Sequence, residues 1–352
     1  MAMSGGIDSS VASILLLEQG YELVGVTFRT FDSINESCLT REKGCCSVES
    51  IMEAKHLAQT LGFEHHILDY RQIFRHTVIH NFVSEYLNGR TPNPCVLCNS
   101  HIKWGELLRA ADELGCDMIA TGHYARIEQS RGHYYLKTAA DEKKDQTYFL
   151  WMLTEENLRR TFFPLGNLTK QQVRLIAAQH GFTKLSLKKE SEEICFIPNN
   201  DYRTFIQTES GVELKGEGNY VDATGNILGR HAGYYNYTIG QRKGLGIALG
   251  EPRFVSKIDA DSNTVTLAAR EELNSMSLTA NQIRLRDRDW LRTSPELKAR
   301  IRYRSKAVDA KLELVDNDSF NIQFKEHVWG VTPGQSVVLY KDELVVGGGI
   351  IN

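Results

Sequence analysis

Residues 4–17 decide what kind of fold this chain can enter. Ser4-Gly5-Gly6-Ile7-Asp8-Ser9 is a glycine loop with a hydroxyl at each end and a carboxylate inside. It runs straight into Ser10-Val11-Ala12-Ser13-Ile14-Leu15-Leu16-Leu17. Glycines let the backbone turn tightly and approach a ligand, and the helix behind them offers unpaired N–H groups to an anion. The loop lacks the Gly-Lys-Ser/Thr ending of a Walker A phosphate site, and it is not Gly-x-Gly-x-x-Gly. Such a loop should follow a buried strand, yet only Met1-Ala2-Met3 precede it. That predicts either a very short first strand or a true start farther upstream.

From Ser9 to about Gly181 short apolar strands alternate with helices. Tyr21–Phe28, His66–Asp69 and Cys116–Ala120 read as strands; Val48–Leu61, Phe74–Leu87 and Ile102–Leu114 read as helices. This alternation predicts a doubly wound parallel α/β sheet with ligands at the carboxyl ends of its strands, where Gly5-Gly6 and Gly122-His123 both fall. After Pro198 helical periodicity fades. Short strand-like runs take over at Asn219–Asp222, Arg253–Ile258, Thr264–Leu267, Lys311–Val315, Phe320–Phe324 and Ser336–Tyr340. Turn signals at Asp222-Ala223-Thr224-Gly225-Asn226 and Thr332-Pro333-Gly334 punctuate them. The expected tail is two small β-rich domains, the last a β-barrel. Domain boundaries are expected at 1–197, 198–272 and 273–352.

Composition narrows the function classes. At 352 residues the chain exceeds one compact core. No apolar run approaches the roughly 20 residues that span a bilayer, and no signal peptide precedes the loop, so a cytoplasmic protein without membrane contact is expected. The net charge of −3 gives no global pull on nucleic acid, so an RNA site would be a local basic patch. Candidates are Lys184–Lys189, Gln241-Arg242-Lys243, Arg284–Arg292 and Arg300–Lys306. As a strand, the last run would place Arg302, Arg304 and Lys306 on one face, with Tyr303 on the other.

The 7 cysteines suit a reducing compartment, where thiols are reactive, metal-bound or buried. In Thr91-Pro92-Asn93-Pro94-Cys95-Val96-Leu97-Cys98-Asn99, two prolines set an extended loop ahead of a helix. Cys98 falls close to that helix's start, where the macrodipole favours a thiolate. Cys195 stands far away in Glu193-Ile194-Cys195-Phe196-Ile197. One thiolate to carry sulfur and a second to resolve it would suffice for sulfur transfer. Cys95, Cys98 and Cys195 could instead hold three corners of a [4Fe–4S] cluster, or a structural zinc. Cys116 reads as packing, and Cys38, Cys45 and Cys46 form a separate group in a polar loop, open to a zinc or redox role or to none.

The opening loop resembles the PP-loop of the ATP pyrophosphatases. It is followed in order by Gly89-Arg90-Thr91-Pro92-Asn93-Pro94, Ala120-Thr121-Gly122-His123-Tyr124 and Lys144-Asp145-Gln146-Thr147-Tyr148-Phe149-Leu150. Ile194-Cys195-Phe196-Ile197, Thr238–Gly246 and Thr332-Pro333-Gly334-Gln335-Ser336 complete the series. Together these motifs resemble the tRNA-specific 2-thiouridylases, over essentially the whole chain. The resemblance implies an adenine nucleotide alpha hydrolase-like PP-loop domain and ATP- and Mg²⁺-dependent 2-thiolation of the wobble uridine (position 34) of tRNA. A sulfur-donor protein would be its second partner.

Carried onto this sequence, the nucleotide site falls on Ala2, Met3, Ser4, Gly5, Gly6, Ile7, Asp8 and Ser9, with Phe28 and Gly122 beside it. The resemblance makes Cys98 the catalytic nucleophile and Cys195 the persulfide carrier, with Asp8 orienting metal or phosphate. It puts the target base at Asn93, Pro94 and Cys95, and tRNA contacts at Lys144, Asp145, Gln146, Arg302 and Tyr303. Cys95 departs from the pattern, which has an aspartate there. So does Ser191-Glu192-Glu193, where relatives can carry smaller residues. Two competing expectations are a PP-loop ligase or amidotransferase acting on a small molecule, and a non-enzymatic RNA-binding protein.

Overall fold

The structure is a computed structural model that describes residues 1–31, 48–187, 194–197 and 200–352. Cys38, Cys45, Cys46 and Ser191-Glu192-Glu193 lie outside the described residues. The chain divides into two compact units. One comprises Met1–Val78, Cys95–Asn200 and Glu343–Val345; the other comprises Ile79–Pro94, Asp201–Asp342 and Val346–Asn352.

The first unit is built on a parallel sheet. Strand β1 (Val24–Arg29) pairs in parallel with β2 (Glu64–Asp69), and β3 (Ile119–Ala120) with β6 (Thr161–Phe162). The two pairs are joined by Met1–Met3. Ala2 bridges Val26 in parallel, its N–H donates to Ala120 O at 2.8 Å, and Met3 N–H donates to Val26 O at 2.8 Å. Met1–Met3 therefore lie at the strand position ahead of the loop. In chain order the sheet reads 3-2-1-4-5, the order of a doubly wound fold. The turn after Met3 then falls at the topological switch point, where the order of strands reverses.

Helix α1 (Ile7–Glu18) and helix α2 (Val48–Leu61) follow the first two strands. Val11, Ala12 and Leu16 of α1 share a core with Ala54, Leu57 and Ala58 of α2, with Val173 and Ala177, and with Met1 and Met3. Two strands are shorter than expected: Tyr21–Leu23 precede β1, and Cys116–Met118 precede β3. A hairpin of β4 (Arg126–Ser130) and β5 (His133–Lys137) was not anticipated; Arg131 and Gly132, both with positive φ, make its two-residue turn.

In the second unit the helical segment His80–Leu87 packs Phe82 on Phe205 and stacks Tyr86 on Tyr202 of the helix Tyr202–Glu209. Beside it is a four-stranded sheet, β8 (Ile227–His231), β7 (Gly218–Val221), β10 (Thr264–Ala268) and β9 (Phe254–Asp259). The remaining strands are β11 (Asn274–Leu285), β12 (Glu296–Arg300), β13 (Val308–Leu314), β14 (Phe320–Trp329), β15 (Ser336–Lys341) and β16 (Leu344–Ile351). They close as a six-stranded antiparallel barrel, because β11 pairs with β14 through its first half and with β16 through its second. Alternate residues Phe320, Ile322 and Phe324 fill the interior, as the two-residue period of a strand requires.

Beyond Arg300, the last residue of β12, the run to Lys306 is not a strand. It turns between β12 and β13, with Ser305 N–H donating to Arg302 O at 3.1 Å. The alternation of Arg302, Arg304 and Lys306 therefore has no common face to occupy.

Candidate functional site

Ala2 and Met3 are consumed by the sheet, and Ser4–Gly6 make the turn at its switch point. Gly5 adopts φ 67°, and a Cβ there would stand 2.2 Å from Ser50 O. Both the left-handed backbone and the contact with α2 exclude a side chain. The hydroxyls at either end of the loop close it: Ser9 Oγ accepts from Ser4 N–H at 3.2 Å and donates to Gly6 O at 3.1 Å. Gly6 precedes α1 with no side-chain cap, which leaves that helix's first N–H groups aimed into the turn. Ile7 is buried in the core and Asp8 follows it at the second helical position.

Asp8 does not stand alone. Lys170 Nζ donates to Asp8 Oδ1 at 2.7 Å and to Oδ2 at 2.9 Å, and the Tyr124 hydroxyl donates to Oδ1 at 2.8 Å. Lys170 is only 7% exposed. No sequence motif marked it, because its partner lies 162 residues away and a lysine opening a helix is ordinary. Tyr124 was quoted only as part of a motif, with no role.

Gly122 and His123 leave the carboxyl end of β3. A Cβ on Gly122 would lie 2.8 Å from Asp8 C and Ser9 N, so its bareness lets this strand end pack directly on the loop. His123 packs on Trp104 at 5.4 Å between ring centroids, and its Nδ1 is 2.8 Å from Thr121 Oγ1. Burial pushes its pKa well below the usual histidine range, and the Lys103 charge adds to this, so its imidazole is neutral at pH 7. Phe28, half-buried at the end of β1, meets Tyr70 edge-on at 5.1 Å.

The cysteines occupy three settings. Helical residues begin at Pro94, as a proline at the first helical position favours. Cys95 is therefore in the first turn and Cys98 one turn further in, where π-type turns run through Cys98–Glu106. The macrodipole expected to favour a Cys98 thiolate thus acts more directly on Cys95, since it falls off within a turn. Cys95 reaches solvent, yet desolvation by the surrounding protein raises its thiol pKa above the ordinary value, against the Lys103 charge. Asn99 Nδ2 donates to Phe149 O at 3.0 Å, tying the Cys98 helix to the Lys144–Leu150 motif.

Cys195 is exposed, while its neighbour Phe196 is buried against Phe74 at 5.5 Å and Phe31 at 6.4 Å. Those rings follow the carboxyl ends of β2 and β1. Among the described residues no three His, Cys, Asp or Glu side chains converge as a metal site, so Cys95, Cys98 and Cys195 do not form a ligand set in this structure. Asp8, with both oxygens engaged, fits a Mg²⁺ ion that arrives on nucleotide phosphates better than a resident one.

The expected RNA contacts are mostly occupied by the protein itself. Asp145, 4% exposed, accepts from Ala139 N–H at 3.1 Å and Thr147 Oγ1 at 2.8 Å. Gln146 Oε1 accepts from Tyr124 N–H at 2.8 Å. Lys144 and Tyr303 are half-buried. Arg302 donates to Gly330 O at 2.6 Å, Thr332 Oγ1 at 2.7 Å and Ile239 O at 3.3 Å, with its guanidinium over Trp329. It brackets two motifs together, Thr238–Gly246 and Thr332–Ser336. A second bracket holds the loop of Asn93 and Pro94: Thr91 N–H donates to Pro333 O, and Gln335 Nε2 to Thr91 O and Pro92 O.

Comparison with known proteins agrees along the whole chain. Residues 1–199 match a family model described as the tRNA methyl transferase HUP domain, residues 203–269 the tRNA methyl transferase PRC-barrel domain, and residues 277–351 an aminomethyltransferase beta-barrel domain. Over its full length the chain is 46% identical to a protein of Cytophaga hutchinsonii named tRNA-specific 2-thiouridylase MnmA, covering 96% of that relative. Proteins of the same name from Amoebophilus asiaticus and Halothermothrix orenii are each 47% identical over the full chain, with 94% and 98% of their lengths covered.

Proposed function

This chain belongs to the tRNA-specific 2-thiouridylase (MnmA) family, and we propose that it forms 2-thiouridine at the wobble position of tRNA at the expense of ATP. The observation that carries this reading is the uncapped turn Ser4–Ser9 at the switch point of the sheet, in a chain whose full-length relatives bear that name. The family models speak of methyl transfer in their descriptions, but a phosphate-binding turn suits activation by a nucleotide triphosphate.

In this reading the N–H groups at the start of α1 and the loop hydroxyls take the phosphates of ATP, and Phe28 and Gly122 border the nucleotide. Mg²⁺, when bound, neutralises phosphate charge as the uracil O2 attacks the α-phosphorus and pyrophosphate leaves. The adenylated O2 is then a leaving group and C2 an electrophile. Cys195, exposed on a loop pinned by Phe196, accepts a sulfane sulfur from a donor protein's persulfide. Its terminal sulfur attacks C2, the C2–O2 bond breaks, and AMP departs. A Cys98 thiolate then attacks Cys195 Sγ, which frees the thiouridine and leaves a Cys98–Cys195 disulfide for a thiol reductant to open. Asn93, Pro94 and Cys95 border the base, while Lys144, Gln146 and Tyr303 face the tRNA. The division at 1–197, 198–272 and 273–352, and a cytoplasmic location, belong to the same proposal.

The test supplies tRNA, ATP and a persulfide donor to protein purified without oxygen. Wild type should form 2-thiouridine, seen by nucleoside mass spectrometry, and contain neither iron nor acid-labile sulfide. Cys195→Ser should lose thiolation but keep tRNA-dependent pyrophosphate release. Stoichiometric iron with an absorption band that activity follows would replace the persulfide route by the cluster route. Pyrophosphate release driven by a small metabolite without tRNA would support a ligase.

A further inference from the structure

We propose that Lys170 is a phosphate-binding residue of the nucleotide site, held in reserve by Asp8; this rests on the nucleotide reading of the loop given above. Three observations converge. The turn Ser4–Gly6 and the uncapped start of α1 favour an anion, yet Asp8 places a carboxylate in the same first helical turn. Unanswered, that charge would repel a polyphosphate. It is answered by Lys170, whose ammonium spans both carboxylate oxygens at 2.7 and 2.9 Å. Lys170 is buried whereas the Asp8 side chain is 33% exposed, so the carboxylate lies on the open side of the pair.

Lys170 is also held in place. Its own N–H donates to Asp141 Oδ2 at 2.9 Å, the helix Lys170–Gln179 packs Val173 and Ala177 into the core of α1, and its ammonium lies 5.7 Å from the centre of the Tyr124 ring. A long flexible cation fixed at its backbone can swing its head over a few ångströms without unfolding anything. A polyphosphate arriving with Mg²⁺ would let the pair exchange partners: Asp8 would be free to hold the metal, and Lys170 would take a phosphate oxygen of the departing pyrophosphate. Tyr124 keeps its bond to Asp8 Oδ1 through the exchange. No charge is left buried without a partner at either stage, which is why a buried lysine is tolerated beside an anion site.

Inorganic pyrophosphate is the probe, because it carries the phosphate contacts without the adenosine. Its affinity is measured by titration calorimetry with and without Mg²⁺, on wild type, Lys170→Arg, Lys170→Met, Asp8→Asn and the double variant Asp8→Asn/Lys170→Met. Circular dichroism checks that each is folded. Lys170→Met alone exposes Asp8 and weakens binding for that reason too, so the comparison of the double variant with Asp8→Asn decides. If Lys170 touches phosphate, the double variant binds magnesium pyrophosphate at least about tenfold more weakly than Asp8→Asn alone, the worth of one charge-assisted hydrogen bond, and Lys170→Arg stays near wild type. Equal affinity in the double variant and in Asp8→Asn would show that Lys170 only neutralises Asp8, and would overturn the inference while leaving the nucleotide reading intact. Failure of wild type to bind ATP or pyrophosphate would remove the nucleotide reading itself.

Discussion

Gly122→Ala tests whether the end of β3 sets the position of the loop. The added Cβ would lie 2.8 Å from Asp8 C, 2.8 Å from Ser9 N and 3.0 Å from Asp8 O. Carbon contacts relax only at about 3.5 Å, so the two segments must part by roughly 0.7 Å. All three neighbours are backbone atoms of the first turn of α1, so no flexible side chain can absorb the shift. Overpacking of this kind costs about 1–3 kcal/mol. Here the displacement falls on the N–H groups proposed to hold phosphate, so ATP affinity should drop about tenfold or more. Gly62→Ala is the control. Its φ of 81° makes alanine strained, but nothing lies within 4 Å of the new Cβ. It should lose about 1–2 kcal/mol of stability without touching the loop. Urea unfolding gives the stabilities, and calorimetric titration with ATP gives the affinities. Equal ATP affinity in the two variants, at equal loss of stability, would refute the reasoning.

Other consequences follow from the brackets and turns. Arg302→Met strips donors from Ile239 O, Gly330 O and Thr332 Oγ1, and should cost about 1–3 kcal/mol in urea unfolding; unchanged stability would return Arg302 to the list of RNA contacts. Gln335→Met keeps the side chain's size and loses both bonds to Thr91 O and Pro92 O, so amide exchange at Thr91 should quicken about tenfold, and an unchanged rate would show that the Thr91–Pro333 bond alone holds the loop. Asp222 is held down to about 2 by hydrogen bonds from Asn226 and Thr224 inside its own turn. Its folded pKa lies below the ordinary 3.8, so its contribution is complete above pH 4 and disappears as pH falls towards 2. The stability gap between wild type and Asp222→Ala, followed by thermal unfolding, should close over that window; a gap constant from pH 6 to 2 would contradict the assignment.

The alternation of strands and helices made the sheet legible because period and length are local properties. Val48–Leu61 is a helix over the span its apolar spacing implies. What stayed hidden was the pairing of the residues ahead of the loop. Met1–Met3 show no periodicity, and only the hydrogen bonds offered by β1 and Ala120 place them in the sheet. The barrel was visible as a series of β runs, but its closure was not. Closure depends on β11 changing partner at Ala280 and Asn281, which pairing decides and residue preference does not. The four-residue strand β7 pairs in parallel with β10 more than forty positions on, again without a local sign.

Motifs were easier to find than to interpret, and the reason is chemical. A motif marks residues whose replacement is costly, and a buried hydrogen bond makes replacement as costly as a substrate contact does. Arg302 reads as a phosphate ligand because it is cationic and lies in a basic run, yet its donors close on carbonyls of Thr238–Gly246 and of the segment before Pro333. Asp145 reads as a contact, and in the structure its carboxylate folds its own loop. Lys170 carries the reverse lesson. It sits in no motif, and only the fold brings its ammonium to the one carboxylate of the glycine loop. A cation on an RNA-facing surface must be exposed to meet a mobile phosphate, whereas one serving a nucleotide pocket can be buried if a carboxylate keeps it company. Exposure and partner, rather than charge, separate the two kinds. By that criterion the buried Lys170 is the cation proposed for the phosphate chemistry, and the donors of Arg302 serve the architecture of the second unit.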